Sequence, residues 1–120
     1  MSRVFFLLLM IIGCSKPVTY TKEKMLSMAW KTDPTVSVIL PKSMKDGVTC
    51  EEYGEGCLGV HIVGVQGLEM LAVEYMSEAQ ALAGAKKFRG YYSKNWLFDD
   101  VTGEPALEKF VVQGLEAKKP

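Results

Sequence analysis

The stretch from Leu58 to Tyr75 constrains this chain most: two apolar, partly β-branched runs, LGVHIVGV and LEMLAVEY, meet at Gln66-Gly67. Two such residues between such runs are a hairpin signal, because glycine supplies the positive φ that a tight turn demands. With the turn there, Ile62 falls opposite Leu71 and Val60 opposite Val73. Side chains alternate across a strand. One face therefore carries Leu58, Val60, Ile62, Leu71, Val73 and Tyr75, and the other His61, Val63, Val65, Leu68, Met70 and Ala72. Both faces are apolar, so both need cover. Helices are expected on one side, and the first helix, the last helix or a second copy of the chain on the other.

The flanking segments supply that cover. Thr21 precedes KEKMLSMAWK, whose Met25, Met28 and Ala29 share a helical face with Leu26 and Trp30 four apart, which predicts a short helix over Lys22–Lys31. Pro34 and Pro41 bracket TVSVIL, a strand candidate, and residues 41–56 read as loop with one helical turn. Ser77-Glu78-Ala79-Gln80 is a capping box that opens a helix running to about Tyr91, with Ala81, Leu82, Ala85, Phe88 and Tyr92 as its stripe. NWLFDDV, residues 95–101, is the last strand candidate. Pro105 suits the first turn of a terminal helix with Leu107, Phe110, Val111 and Leu115 on one side, and Lys118 and Lys119 at its end favour its dipole. The expectation is an α+β fold: a small antiparallel sheet of about four strands packed with helices. Its element order resembles the ferredoxin-like plan, with the loop holding Cys50 and Cys57 in place of the first crossover helix.

At 120 residues the chain is sized for one domain. Its 14 basic and 14 acidic residues balance, so charge gives no reason to expect nucleic acid as a partner. No cofactor-binding motif is present, and neither is a Gly-x-Ser-x-Gly, Walker or His-Glu-x-x-His pattern.

The beginning of the chain has a different character. Arg3 precedes nine apolar residues, Val4 to Ile12, and then the small Gly13. As a helix those nine would reach about 14 Å, against a hydrocarbon core of roughly 30 Å, too short to span it. The layout is that of a signal peptide. Ile11-Ile12-Gly13-Cys14 resembles the lipobox of bacterial lipoproteins, with Ile where Leu is commoner. That resemblance implies cleavage between Gly13 and Cys14 and attachment of diacylglycerol to Cys14, so that the lipid membrane becomes a partner through an acylated residue. Several acyl chains hold a protein on a bilayer where one would not. Ser15 in the second mature position resembles lipoproteins sorted to the outer membrane, which places the domain in the periplasm. Residues 1–13 are then signal peptide, residues 14–22 the lipidated end and a polar tether containing Pro17, and residues 23–120 a single globular α+β domain.

Setting Cys14 aside leaves Cys50 and Cys57, an even pair in an exported chain. Gly54 and Gly56 in TCEEYGEGC let the sulfurs meet, and a disulfide is expected. The competing reading is a metal site formed by Cys50, Cys57, His61 and one of Glu51, Glu52 or Glu55, although the spacing matches no common zinc pattern.

Few residues suggest chemistry. His61 is the single histidine and sits mid-strand, where a satisfied structural role is the ordinary one. Asp99, Asp100 and Glu104 gather acid near the start of the terminal helix, where the dipole favours it. FRGYYSKNW interleaves aromatic and basic side chains, and in an exported protein Tyr91, Tyr92, Trp96 and Lys94 could form a platform for sugar rings. No catalytic residue is assigned. The expected function is a membrane-anchored envelope lipoprotein whose domain is a non-enzymatic binding or structural module, with an envelope protein or peptidoglycan as partner. An enzyme using His61 and nearby carboxylates is the remote alternative.

Overall fold

The hairpin forms with the register its turn dictates. In the computed structural model, which describes residues 19–39 and 50–120, Gln66 and Gly67 take φ of 53° and 84°, both positive as a two-residue hairpin turn requires. They join Cys57–Val65 and Leu68–Tyr75, and Ile62 pairs with Leu71 and Val60 with Val73. One residue departs from the expected alternation. A bulge between Cys57 and Gly59 removes Leu58 from the ladder, and its side chain is 58 % exposed rather than packed beside Val60. An extra residue on one strand breaks the two-residue period at that point.

In chain order the elements are α1 (Lys22–Thr32), β1 (Ser37–Ile39), a 3₁₀ turn (Cys50–Tyr53), β2 (Cys57–Val65), β3 (Leu68–Tyr75), α2 (Glu78–Phe88), β4 (Tyr91–Ser93), β5 (Trp96–Asp99) and α3 (Pro105–Lys109), which widens into a π turn over Phe110–Gly114. The sheet is antiparallel throughout, in the order β1-β2-β3-β5-β4. The fold is α+β, with five strands.

The added strand comes from the segment expected to prolong α2. That helix ends at Phe88 because Arg89 turns into the left-handed region, φ 57°, and Gly90 then passes tightly over β5. A Cβ on Gly90 would lie 2.5 Å from the Phe98 carbonyl oxygen. Tyr91 and Tyr92 consequently belong to β4, not to the helix, and Tyr92 is no part of the α2 stripe. At the other end of α2, Ser77 accepts from the Gln80 amide at 3.2 Å. The reciprocal half of the capping box is missing, since Gln80 Oε1 is buried without a partner.

Both sheet faces are covered by the chain itself. One holds Val63, Val65, Met70, Ala72, Trp96 and Phe98 under Met25 and Ala29 of α1 and under Leu107, Phe110, Val111 and Leu115. The other holds Val60, Val73, Tyr75 and Leu97 under Ala81 and Ala85 of α2, with Tyr53 from the 3₁₀ turn. The four predicted apolar positions of the terminal segment are all buried. Beyond it, Lys118 and Tyr92 exchange backbone hydrogen bonds of 2.9 Å in both directions, so the C-terminal tail closes the β4 edge. Among the described residues no helix is long and apolar enough to cross a membrane.

Candidate functional site

Gly13, Cys14 and Ser15 lie outside the described residues, as do the rest of the expected signal peptide and most of the tether. Tyr20 is fastened to the body of the domain. The Tyr20 amide donates to Asn95 Oδ1 at 2.6 Å, the Trp96 indole N–H donates to the Tyr20 carbonyl at 2.9 Å, and the Tyr20 hydroxyl donates to Glu116 Oε1 at 2.9 Å. Thr21 then caps α1, its Oγ1 accepting from the Lys24 amide at 3.1 Å. Contacts with the rest of the domain are therefore in place from Tyr20 onward. Asn95 makes the clasp rigid: it is buried, and its Nδ2 donates to the Tyr75 carbonyl at 2.9 Å. Two ammonium groups flank the clasp, Lys24 Nζ at 5.7 Å and Lys94 Nζ at 5.9 Å from the Tyr20 ring. The bond to Glu116, with burial, holds the Tyr20 phenol above its ordinary pKa.

The aromatic residues of FRGYYSKNW do not form an open platform. Tyr91 and Trp96 pack into the core beneath α1, and Tyr92 into the core beneath α2, because successive strand residues point to opposite faces. All three are buried, Trp96 at 1 % exposure. The aromatic rings of this stretch do meet lysines: Phe88 meets its neighbour Lys87 at 5.3 Å, and the two tyrosines meet lysines of the C-terminal tail. Lys118 Nζ lies 5.5 Å from the Tyr92 ring and Lys119 Nζ 5.8 Å from the Tyr91 ring. Lys94 sits in the β4–β5 turn with φ 52°.

Cys50 and Cys57 form a disulfide with Cα atoms 5.5 Å apart. It closes a small loop in which Tyr53 is anchored three ways. Its ring packs on Phe88 with centroids 4.9 Å apart, its hydroxyl donates to Asp99 Oδ2 at 2.7 Å, and its carbonyl accepts from the Tyr75 hydroxyl at 2.8 Å. Burial first, and then the bond to Asp99, push the Tyr53 phenol far above its ordinary range. Of the acidic trio, Asp99 thus serves Tyr53, while its other oxygen accepts from the Asp100 amide at 2.9 Å. Glu104 is the exposed residue before α3 and makes no side-chain cap. The three do not converge on one point as a reactive pair would.

His61 is the one chemically suggestive side chain left over. Both ring nitrogens are buried without a hydrogen-bond partner, so it is not the satisfied residue that its strand position suggests. It borders a cavity of about 20 Å³ beneath α1, lined mainly by apolar side chains such as Met25, Met70 and Phe98. That space admits about one water molecule. The His61 ring lies 5.7 Å from Trp96, and burial, then the charge of Lys22, lowers its pKa. With no hydroxyl, thiol or carboxylate bonded to it, His61 has neither a nucleophile to activate nor a group to orient it. The disulfide occupies both sulfurs of the alternative metal reading, and among the described residues no three His, Cys, Asp or Glu side chains are grouped to hold an ion.

The clasp was invisible in the sequence: Tyr20 and Asn95 are 75 positions apart, and neither belongs to a motif. The only hint is that Asn95 is a polar residue placed between a turn lysine and a core tryptophan. Comparison of the chain with family models, characterised proteins and solved structures returned no match.

Proposed function

We propose that this protein is a membrane-anchored envelope lipoprotein, processed after Gly13, acylated on Cys14 and sorted to the outer membrane, with a non-enzymatic binding or structural domain in the periplasm. The observation that carries the reading is Ile11-Ile12-Gly13-Cys14 placed directly behind Arg3 and the seven apolar residues Val4 to Met10. Two further features agree with it. The Cys50–Cys57 disulfide suits an oxidising compartment. The domain is fastened from Tyr20 onward, so a short polar link separates the acylation site from folded protein.

The non-enzymatic part rests on the chemistry of the described residues. His61 lacks any bonded partner, and Asp99 is committed to Tyr53. The test is metabolic labelling with an alkyne-bearing fatty acid in a bacterial host. Label should enter the wild-type chain and be absent from Cys14→Ala, which should accumulate with its leader attached. Equal labelling of both chains would exclude the assignment.

A further inference from the structure

From the clasp at Tyr20, the geometry points to one particular face of the domain as the surface that rests on the bilayer: the face where Lys24 and Lys94 flank the emerging chain, with anionic lipid headgroups as its partner. This inference rests on acylation of Cys14. Six residue steps separate Cys14 from Tyr20, and at ~3.5 Å per residue even a fully extended link reaches only about 21 Å. Pro17 within it narrows the choice of path. A link of this length cannot let the domain turn its far side to the membrane, because Tyr20 is held by backbone bonds to Asn95 and Trp96 rather than free to swing.

The side chains around the fixed point suit phosphate groups. Lys24, exposed in the first turn of α1, and Lys94, in the β4–β5 turn, bring their ammonium groups within 5.9 Å of the same tyrosine ring. The carboxylate beside them, Glu116, accepts from the Tyr20 hydroxyl. Lysines next to an anchored segment gain from a negative surface potential and lose that gain beyond a Debye length, so a tether this short is what makes them count. Lys86 and Lys87, exposed on α2, lie over the opposite face of the sheet and serve as the built-in comparison.

The experiment is amine footprinting of the full, acylated chain. The protein is reconstituted into vesicles of phosphatidylethanolamine and phosphatidylglycerol, labelled with a water-soluble amine-reactive ester, and compared by mass spectrometry with the same chain in neutral detergent. Flotation of the vesicles is measured in parallel. Lys24 and Lys94 should lose reactivity severalfold on the vesicles, while Lys86 and Lys87 keep theirs. A chain that fails to float overturns the anchor and this face with it. A chain that floats with Lys24 and Lys94 as reactive as Lys86 and Lys87 overturns the face and leaves the anchor standing.

Discussion

The Tyr75 hydroxyl donates to the Tyr53 backbone carbonyl across 2.8 Å in a buried site, so the hairpin holds the disulfide loop by a bond that water cannot replace. Tyr75→Phe leaves that carbonyl without its donor, and an unsatisfied buried acceptor costs about 1–3 kcal/mol. The expected outcome is a lower denaturant midpoint with an unchanged slope. An unchanged midpoint would mean that the carbonyl finds another partner.

The disulfide itself should matter by a predictable amount. Its two cysteines are 7 positions apart, and closing so short a loop removes about 2–3 kcal/mol of entropy from the unfolded chain. Cys50→Ser combined with Cys57→Ser should lose about that much stability, and dithiothreitol should destabilise the parent protein while leaving the double variant unaffected. Urea titration of both proteins with and without reductant checks this.

His61 should make stability depend on pH in one direction. Burial and Lys22 depress its folded pKa below the ordinary 6.5, so the unfolded chain takes up a proton first as the pH falls. Stability from the neutral ring is complete above the unfolded value and declines as the pH drops below it toward the folded pKa. Glu74 complicates the acid limb, since burial raises its pKa while Lys22 opposes the rise. His61→Phe should flatten the part of the profile between about pH 7 and 5, where unperturbed histidine titrates. Denaturant midpoints measured across that range for both chains decide it, and parallel profiles would show that His61 contributes no slope.

The end of α2 offers a paired test of backbone geometry. Arg89 holds φ of 57°, which glycine adopts without strain, so Arg89→Gly should stabilise by about 0.5–1 kcal/mol. Gly90→Ala should act in the opposite sense, because its Cβ would press on the Phe98 carbonyl oxygen, and overpacking costs about 1–3 kcal/mol. Thermal melts of the two variants should move apart, and movement in the same direction would contradict this account of the helix end.

These residues also explain what could be read from the sequence. The β2–β3 register was legible because a two-residue turn with glycine leaves a single pairing that keeps both apolar faces intact. Leu58 escaped the pattern because a bulge alters the period without leaving a compositional mark. β4 was missed for a different reason: Phe88 and Tyr92 fit a helical stripe, and the stop at Arg89-Gly90 depends on how closely β5 lies beneath, a long-range contact. The same long-range packing buried Tyr91, Tyr92 and Trp96, whose spacing alone is equally compatible with an exposed platform. Tyr20 lay hidden in what reads as polar tether, since its value comes from Asn95 and Trp96 far along the chain.

The central claim is that Cys14 is the lipid-bearing first residue of the mature protein. Intact-mass spectrometry of the protein extracted from bacterial membranes tests it most directly. The account predicts a chain beginning at Cys14 and heavier than its amino acids by at least a diacylglycerol group. A membrane-extracted chain that retains residues 1–13, or one that begins at Cys14 with no added mass, would contradict it.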